Sequence, residues 1–375
     1  MKVLELLASR HFTGPAEPIL HLMSGLSARG HEVHFAHTQQ PPGTLADKVP
    51  PVIVVHKDVR LERKGLVLPG QLADRRRLAL AMAGDGRWIV HVHTSHDHWT
   101  GLLLKRRLGR RCVLIRSVHE SRVAKRRLGD VPLFGAVDGT IAVSEAMKAK
   151  LVEAYDLPPE RVAVVRGAVD HEMFRPNLPT EAILAEIDAA PGDPLIGIVS
   201  RIKPGRGHEL LAEVFAPLAS EFPNAKLLIV GRGEGKDALV AKVAAMGLEG
   251  QVRFLGYRRD DLPNILNAMR AKVLLGEGSD GTCRAALEAM ACGTPVIASA
   301  VGSLKENILD GETGTLVEPG KRDALTAAMR AYIEDSRLSE TQGAAARARV
   351  EYVFTVDAMV RQVEEFFQST LDATS

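Results

Sequence analysis

Seven short β-rich runs in the first half of the chain and six in the second alternate with stretches of helical periodicity, and this repeated alternation limits the fold more than any other feature. The first set is Val3 to Ala8, His31 to Thr38, Val52 to His56, Ile89 to His93, Cys112 to Val118, Thr140 to Val143 and Val162 to Val165. The second is Leu195 to Val199, Lys226 to Val230, Val252 to Leu255, Lys272 to Leu275, Pro295 to Ala298 and Thr315 to Val317. Helical patterns such as Ala16 to Ala28 and Glu145 to Tyr155 lie between many of them. A strand, a helix and a second strand in succession make a parallel βαβ unit with helices on both faces of its sheet. A chain of 375 residues exceeds the length at which one core usually divides, so two Rossmann-like α/β domains are expected. The prolines of Arg175-Pro-Asn-Leu-Pro179 place the linker between them.

Three helical stretches close the chain, near Asp323 to Glu334, Ser336 to Val350 and Thr355 to Leu371. The last repeats Val356, Met359, Val360, Val363, Phe366 and Phe367 at helical spacing and needs an apolar partner. The sequence opens directly on a strand-like run, Lys2 to Ser9, without a charged leader or cleavage site, and has no apolar span of about 18 residues. A soluble, unexported protein is the expectation. Cys112, Cys283 and Cys292 have neither a disulfide count nor zinc spacing, which suits a reducing compartment.

The near-neutral total hides an asymmetry. Residues 1–180 hold 27 Lys+Arg against 18 Asp+Glu, a net of +9, and residues 181–375 hold 21 against 28, a net of −7. The cations cluster at Arg75 to Arg77, Lys105 to Arg111 and Arg122 to Arg127. With aromatic residues at only 4%, stacking on single-stranded nucleic acid is poorly supported, and no nucleic-acid partner is expected.

Two carboxylates stand eight residues apart in Asp280-Gly-Thr-Cys-Arg-Ala-Ala-Leu-Glu288, directly before Ala-Met-Ala-Cys-Gly-Thr-Pro-Val-Ile297. Gly281-Thr282-Cys283 reads as a small polar turn opening a helix near Thr282. Glu288 then lies roughly 9 Å along the axis, at about 1.5 Å per residue, while Asp280 precedes the helix. The first-turn amides of Thr282, Cys283 and Arg284 lack an intrahelical acceptor and, with the helix dipole, favour an anion such as a diphosphate. Glu288 is placed for a ribose diol and Asp280 for sugar hydroxyls. Upstream, Val199-Ser-Arg201-Ile-Lys-Pro-Gly-Arg206-Gly207 ends a strand and enters a helix, where open α/β sheets hold their ligands. Its planar, permanently charged guanidinium groups suit phosphate oxygens. Gly231-Arg-Gly-Glu-Gly235 follows another strand and lets backbone approach a ligand, but its spacing is wrong for a dinucleotide fingerprint, so no nicotinamide cofactor is expected.

Together these segments resemble the retaining glycosyltransferases of family GT4, which have the GT-B fold. The acidic pair is similar to that family's Glu-x7-Glu signature, with Asp280 for the first Glu and Gly281-Thr-Cys283 for Gly-Phe-Gly. Arg201 matches the Arg of Gly-Arg-Leu-x3-Lys-Gly, and Arg206 stands where Lys is usual. The resemblance is strongest from Ile198 to Pro319, moderate from Ala142 to Pro176 and weak before Arg116. It implies two Rossmann-like domains facing a central cleft: residues 1–176 for the acceptor, 177–354 for the nucleotide sugar, and a helix at 355–375 crossing back to the first domain. It further implies donor contacts from Gly14, Arg201, Arg206, Gly231, Tyr257, Asp280, Gly281, Thr282, Cys283, Arg284 and Glu288, with the base near Gly256-Tyr257-Arg258. His119, after the strand ending Arg116-Ser117-Val118, matches a histidine that contacts the donor sugar. Catalytic roles are implied for His119, Arg201, Arg206 and Asp280.

In His91-Val-His93-Thr-Ser-His96-Asp-His98 the first two histidines share a strand face and the last two fall in the following loop. Such a set has the composition of a metal site, but a loop on the acceptor side is the preferred reading and no metal is expected.

The reaction so implied moves a sugar from a UDP- or GDP-linked donor to an acceptor hydroxyl, on a lipid-linked glycan or lipopolysaccharide-type molecule, with retained configuration and without metal or other cofactor. Arg201, Arg206 and the helix amides would stabilise charge on the departing β-phosphate. The expected location is cytoplasmic, peripheral on the inner face of an anionic membrane. Two alternatives stand beside it. A GT-B epimerase or hydrolase would turn over nucleotide sugar without an acceptor, and a non-catalytic binding subunit is suggested by the altered Gly-Thr-Cys turn.

Overall fold

The computed structural model describes residues 1–375 apart from 13–15, 40–42, 62–66, 120–128 and 277–279, and only the backbone of 67–68 and 280–283. The chain divides into two units, Met1–Gly167 with Val356–Ser375, and Ala168–Thr355. The first holds β1 (Lys2–Leu7), β2 (Glu32–His37), β3 (Val54–Val55), β4 (Trp88–Val92), β5 (Cys112–Val118), β6 (Gly139–Ala142) and β7 (Val162–Val164), in the order β3-β2-β1-β4-β5-β6-β7. The second holds β8 (Leu195–Val199), β9 (Lys226–Val230), β10 (Val252–Gly256), β11 (Ala271–Leu274), β12 (Val296–Ser299) and β13 (Gly314–Val317), in the order β10-β9-β8-β11-β12-β13. Every pairing is parallel.

The helices, in chain order, are α1 (Ala16–Ala28), α2 (Val67–Ala81), α3 (Ser95–Leu108), α4 (Val131–Phe134), α5 (Glu145–Tyr155), α6 (Glu181–Glu186), α7 (His208–Glu221), α8 (Lys236–Ala245), α9 (Leu262–Ala268), α10 (Asp280–Ala291), α11 (Leu304–Asn307), α12 (Arg322–Glu334), α13 (Ser336–Val353) and α14 (Val356–Ala373). Each expected strand and each of the three closing helices is present, with ends displaced by a residue or two in most cases.

In the second unit the strands serve two cores at once. Leu228, Val230, Leu274, Val296 and Ala298 point into one apolar cluster, with Ala286, Leu287, Met290 and Ile265 from α10 and α9. Their neighbours Leu227, Ile229, Val273 and Ile297 point into the other, with Leu211, Phe215, Leu239 and Met329 from α7, α8 and α12. Period-two alternation produces this division, and both faces are apolar because helices cover both. Each buried Leu or Ile adds about 1.5–3 kcal/mol relative to exposure.

The boundary between the units differs from the expected linker at residue 176. Residues from Ala168 belong to the second unit because Val169 donates its amide to the Phe354 carbonyl at 3.0 Å and Phe174 is buried in that unit's core. In the first unit α14 lays Met359, Val360, Val363 and Phe367 inward, against α1. Arg29 on that side binds Asp357 at 2.6 Å and Glu364 at 3.1 Å, and His31 Nε2 lies 2.6 Å from Glu364.

Both sheets reverse their order beside their first strand, between β1 and β4 and between β8 and β11. At such a reversal the two connections leave toward opposite faces, and the crevice beyond the carboxyl ends is where open α/β sheets bind ligands.

Candidate functional site

In the second unit the loops beyond β10, β9, β8 and β11 are joined in sequence along the carboxyl edge. Gly231 N–H donates to Gly256 O at 2.7 Å, and Ser200 N–H to Val230 O at 3.0 Å. Ile202 N–H donates to Arg232 O at 3.1 Å, and Gly235 N–H to Ile202 O at 3.2 Å. A β-carbon on Gly231 or Gly233 would collide with the Ser200 or Ile202 carbonyl oxygen. The glycines are thus required by the neighbouring loop's backbone, a reason other than the ligand approach expected for Gly231.

Gly205 and Gly207 adopt φ of 77° and 82°, turning the β8 loop back on itself. A β-carbon on Gly207 would stand 2.6 Å from Leu275 Cβ, and one on Gly276 would stand 3.3 Å from Arg206 Nη1. Arg206 therefore leaves the β8 loop and lies over Gly276, in the connection from β11 to α10. Arg201 is exposed on the same loop. On the far side of the rim, the Arg232 guanidinium sits 5.0 Å over the exposed Tyr257 ring, a flat cationic-aromatic surface. Arg258 is occupied otherwise, with Asp261 at 2.6 Å, Glu186 and the Leu255 carbonyl.

Helix α10 begins at Asp280, not near Thr282, so Asp280 is its first residue and does not precede it. With that start, the first-turn amides without an intrahelical acceptor are those from Asp280 to Thr282. Glu288, half-buried two turns on, lies with its carboxylate 3.6 Å from Arg284 Nε. Beneath it on β11, Lys272 is fully buried and donates Nζ to the Ala285 carbonyl. Burial brings this ammonium down to about 8, against the opposing pull of Glu288 and Cys292. His208, at the start of α7, is 3.2 Å from Ser200 Oγ, and burial followed by the nearby Arg206 charge lowers its ring below the ordinary 6.5.

In the first unit a chain of polar groups runs along one face of the sheet. Glu5 and His91 are register partners on β1 and β4. His91 Nδ1 lies 3.0 Å from Glu5 Oε1, and its Nε2 lies 2.8 Å from Ser117 Oγ. His93 Nε2 lies 2.8 Å from Glu5 Oε2, and its Nδ1 lies 3.0 Å from His119 Nε2. Burial works to raise the Glu5 carboxyl, but the His91 charge and the bonds from both rings hold it at about 2. Burial, then His91, pushes His93 down to about 3. Glu5, His91 and His93 are also the one set of three among the described residues that could hold an ion, with ligand atoms within 4.8 Å of one another.

The opposite face carries Asp97, which caps α3 and accepts from the amides of Ala8, His93 and Thr94 at 3.0, 3.0 and 2.7 Å. Arg116 Nη1 is 3.5 Å from it. His96 and His98 lie on α3, not in a loop as expected, because the Thr94/Asp97 capping box starts the helix at Ser95.

Residues 180–349 match the glycosyl transferases group 1 family and residues 14–173 match Glycosyltransferase Family 4. A D-inositol 3-phosphate glycosyltransferase of Frankia alni is 33% identical over 284 residues, covering 72% of this chain and 67% of its own. The chain belongs to the glycosyl transferases group 1 family. N-acetyl-alpha-D-glucosaminyl L-malate synthase of Bacillus anthracis is 26% identical to this glycosyltransferase over 355 residues, 92% of this chain and 91% of that one. Among solved structures, Anabaena HepE in complex with UDP superposes with a TM-score of 0.81 at 21% identity, covering 98% of this chain and 100% of that chain. The glycosyltransferase thus has the GT-B fold class, with two Rossmann-like units.

Of the residues the sequence marks, the second unit of this glycosyltransferase brings Arg201, Arg206, Gly231 and Tyr257 onto one continuous rim. Arg284 and Glu288 follow on α10. Gly14 lies outside the described residues, as do the side chains of Asp280, Thr282 and Cys283 and, at Gly281, all but the backbone. His119 comes to the carboxyl end of β5 in the first unit. Glu5 and Lys272 were not anticipated. Each is a charged residue in the middle of a central parallel strand, a position that is almost never charged unless paired, and that anomaly was the available signal.

Proposed function

We propose that this chain is a retaining, metal-independent glycosyltransferase that moves a sugar from a UDP- or GDP-linked donor to an acceptor hydroxyl on a lipid-linked or other glycan. The observation that carries it is Arg206 lying over Gly276 at the β8/β11 reversal, with Arg201 on the same loop and the α10 amino end close behind. Arg206 and the connection into α10 adjoin there, with Arg201 exposed on the same loop, and guanidinium groups beside a helix terminus suit a diphosphate. The UDP and UDP-glucose complexes of Anabaena HepE lend support.

When the glycosidic bond to the β-phosphate breaks, negative charge builds on the leaving oxygen. Arg201, Arg206 and the α10 amides stabilise that charge without having to reorganise. Glu288 accepts from the ribose diol and Asp280 from sugar hydroxyls, while the base rests by Tyr257 and Arg232. The family resemblance assigns His119 a contact with the donor sugar. The departing phosphate takes the acceptor proton on the face it has left, which retains the configuration. Because arginines and amides already supply the positive potential, a divalent ion is dispensable.

The acceptor engages the first unit, whose exposed basic and apolar residues also favour an anionic membrane surface. Arg76, Arg106, Arg107 and Arg110 are exposed there, with Leu72, Leu80 and Trp99. Among the described residues no helix is long and apolar enough to cross a membrane. Peripheral attachment to the cytoplasmic face is the reading these residues support.

The test is a thermal-shift screen of nucleotide sugars followed by turnover assays of the best binder with Arg201→Ala and Arg206→Ala. Each variant should lose about 10²-fold or more in turnover while keeping its melting temperature. Near-normal turnover in both would remove the mechanism.

A further inference from the structure

Lys272 stands where a charge is least at home. It is the second residue of β11, a strand paired on both sides, and it is fully buried. Leu274, two residues on, points into the apolar cluster beneath α10, and period-two alternation puts Lys272 on the same face. Its register partners, Gly197 on β8 and Val296 on β12, bring no polar side chain, and Met269 fills the space that Gly197 leaves. The polar partners come from α10. Nζ donates to the Ala285 carbonyl, and Glu288 and Cys292, three and seven residues further on, share that face of the helix. Burial lowers this amine to about 8, with Glu288 the foremost opposing influence and Cys292 next. Burial also pushes the Cys292 thiol up to about 12, so the negative charge near Lys272 is that of Glu288. The other charges nearby are engaged. Arg284 Nε lies 3.6 Å from Glu288, and Arg347 of α13 binds the His171, Phe174 and Ala291 carbonyls and Glu351.

We propose that Lys272 is a positioning residue for nucleotide binding, the buried counter-ion that lets the Glu288 carboxylate stand beside a diphosphate and still accept from the ribose diol. This deepens the proposed function and rests on Glu288 serving the ribose. A carboxylate and a diphosphate are both anions, and each raises the cost of the other in one cleft. An ammonium beneath the helix offsets that repulsion without occupying the cleft. Its hydrogen bond to the Ala285 carbonyl ties it to the same turn of α10 that carries Glu288. A buried ammonium is itself expensive unless an anion and hydrogen-bond acceptors hold it, and α10 supplies both. The amine that has lost its proton cannot play this part. Nucleotide binding is thereby linked to the protonation of a side chain that the nucleotide does not touch.

Titration calorimetry of the full chain with UDP, from about pH 7 to about pH 9, spans the value of about 8 at which the amine loses its proton. A ligand that favours the protonated amine takes up a proton near that value and loses affinity as the pH rises. If binding raises the amine's pKa by about one unit, wild-type affinity falls about fivefold over the interval. Proton uptake, read from the dependence of the heat on the buffer's ionisation enthalpy, should accompany the fall. Folded Lys272→Met, similar in shape and without charge, should bind UDP more weakly than wild type at the lower pH, with a flat profile and no uptake. Glu288→Gln meets the same base and phosphates, and its profile should also be flat because no carboxylate remains to be balanced. A flat wild-type profile without uptake overturns the proposal. So does a fall of wild-type size in either variant, which would belong to another group. Should Lys272→Met fail to fold, wild type and Glu288→Gln decide alone. UDP that binds with a flat profile leaves the nucleotide site standing and removes only the role of Lys272; UDP that binds at no pH is the failure of the nucleotide site, and the counter-ion role falls with it.

Discussion

In the proposed function Asp280 serves the sugar and Glu288 the nucleotide, so the two can be separated by removing the sugar. With UDP alone, Glu288→Gln should weaken binding measured by calorimetry because a ribose diol prefers a charged acceptor, whereas Asp280→Asn should change it little. The reverse order would exchange their assignments. Acid tests the other unit. Between an ordinary ring's 6.5 and about 3, folded His93 stays unprotonated while the unfolded chain binds the proton. The unfolded state then holds more protons, so stability falls as pH falls through that window, by up to about 1.4 kcal/mol per unit for one group. Glu5, depressed from 4.5 to about 2, adds stability that is present above 4.5 and lost on the way down to 2. In urea unfolding of the first unit, the advantage of wild type over His93→Gln should shrink from about pH 7 to about pH 4. A difference that stays constant would mean His93 titrates normally. At this scale the sequence marked the two arginines through their place after a strand and the acidic pair through its spacing, each together with the family resemblance. It did not mark Glu5 or Lys272, because a single charge inside an apolar run does not reveal its partner, which comes from β4 and the residue after it for Glu5 and from α10 for Lys272.

Gly25 shows how elements fix one another. A β-carbon there would stand 2.5 Å from Val360 Cγ2, so α1 and α14 pack as closely as they do only because the residue is glycine. Gly25→Ala should destabilise the first unit by about 1–3 kcal/mol, as overpacking of a stiff, β-branched neighbour does. Val360→Ala in the same chain should recover much of the loss, and additive losses in the double-mutant cycle would show that the two do not touch. The strands were legible because every one is an apolar run bounded by turn residues, and parallel sheets need such runs on both faces. Two boundaries were not. The amino end of α10 and the border at Gly167/Ala168 depend on tertiary contacts, the latter on Val169 pairing with Phe354. Prolines at 176 and 179 signalled a break in secondary structure, but a break need not coincide with the edge of a core. The amphipathic face of α14 was visible in the sequence, while its partner, α1, lies more than 300 residues away in sequence and could not be read from periodicity.

For the whole molecule the asymmetry of charge, +9 against −7, survives folding in part. Lys105 is held by Asp138 at 2.6 Å and the Ala136 carbonyl, Arg77 by the Asp58 carbonyl at 2.7 Å, and Arg111 by carbonyls including that of Met82 at 3.0 Å. Residues Arg122 to Arg127 lie outside the described residues. Exposed Arg76, Arg106, Arg107 and Arg110 remain, each worth about 1 kcal/mol beside an anionic surface and screened over about 8–10 Å in physiological salt. Co-sedimentation should therefore show binding to anionic but not neutral vesicles, weakened by salt. Equal binding to both, or none to either at low salt, would leave the basic face as a solvated surface. The claim on which the rest depends is that the β8/β11 rim of the second unit holds a nucleoside diphosphate. Titration calorimetry of wild type and Arg206→Ala with UDP and GDP tests it directly. At least one nucleotide should bind the wild type, with an affinity at least tenfold lower in the variant, equivalent to about 1.4 kcal/mol. No binding of either nucleotide, or equal binding by both proteins, would contradict it.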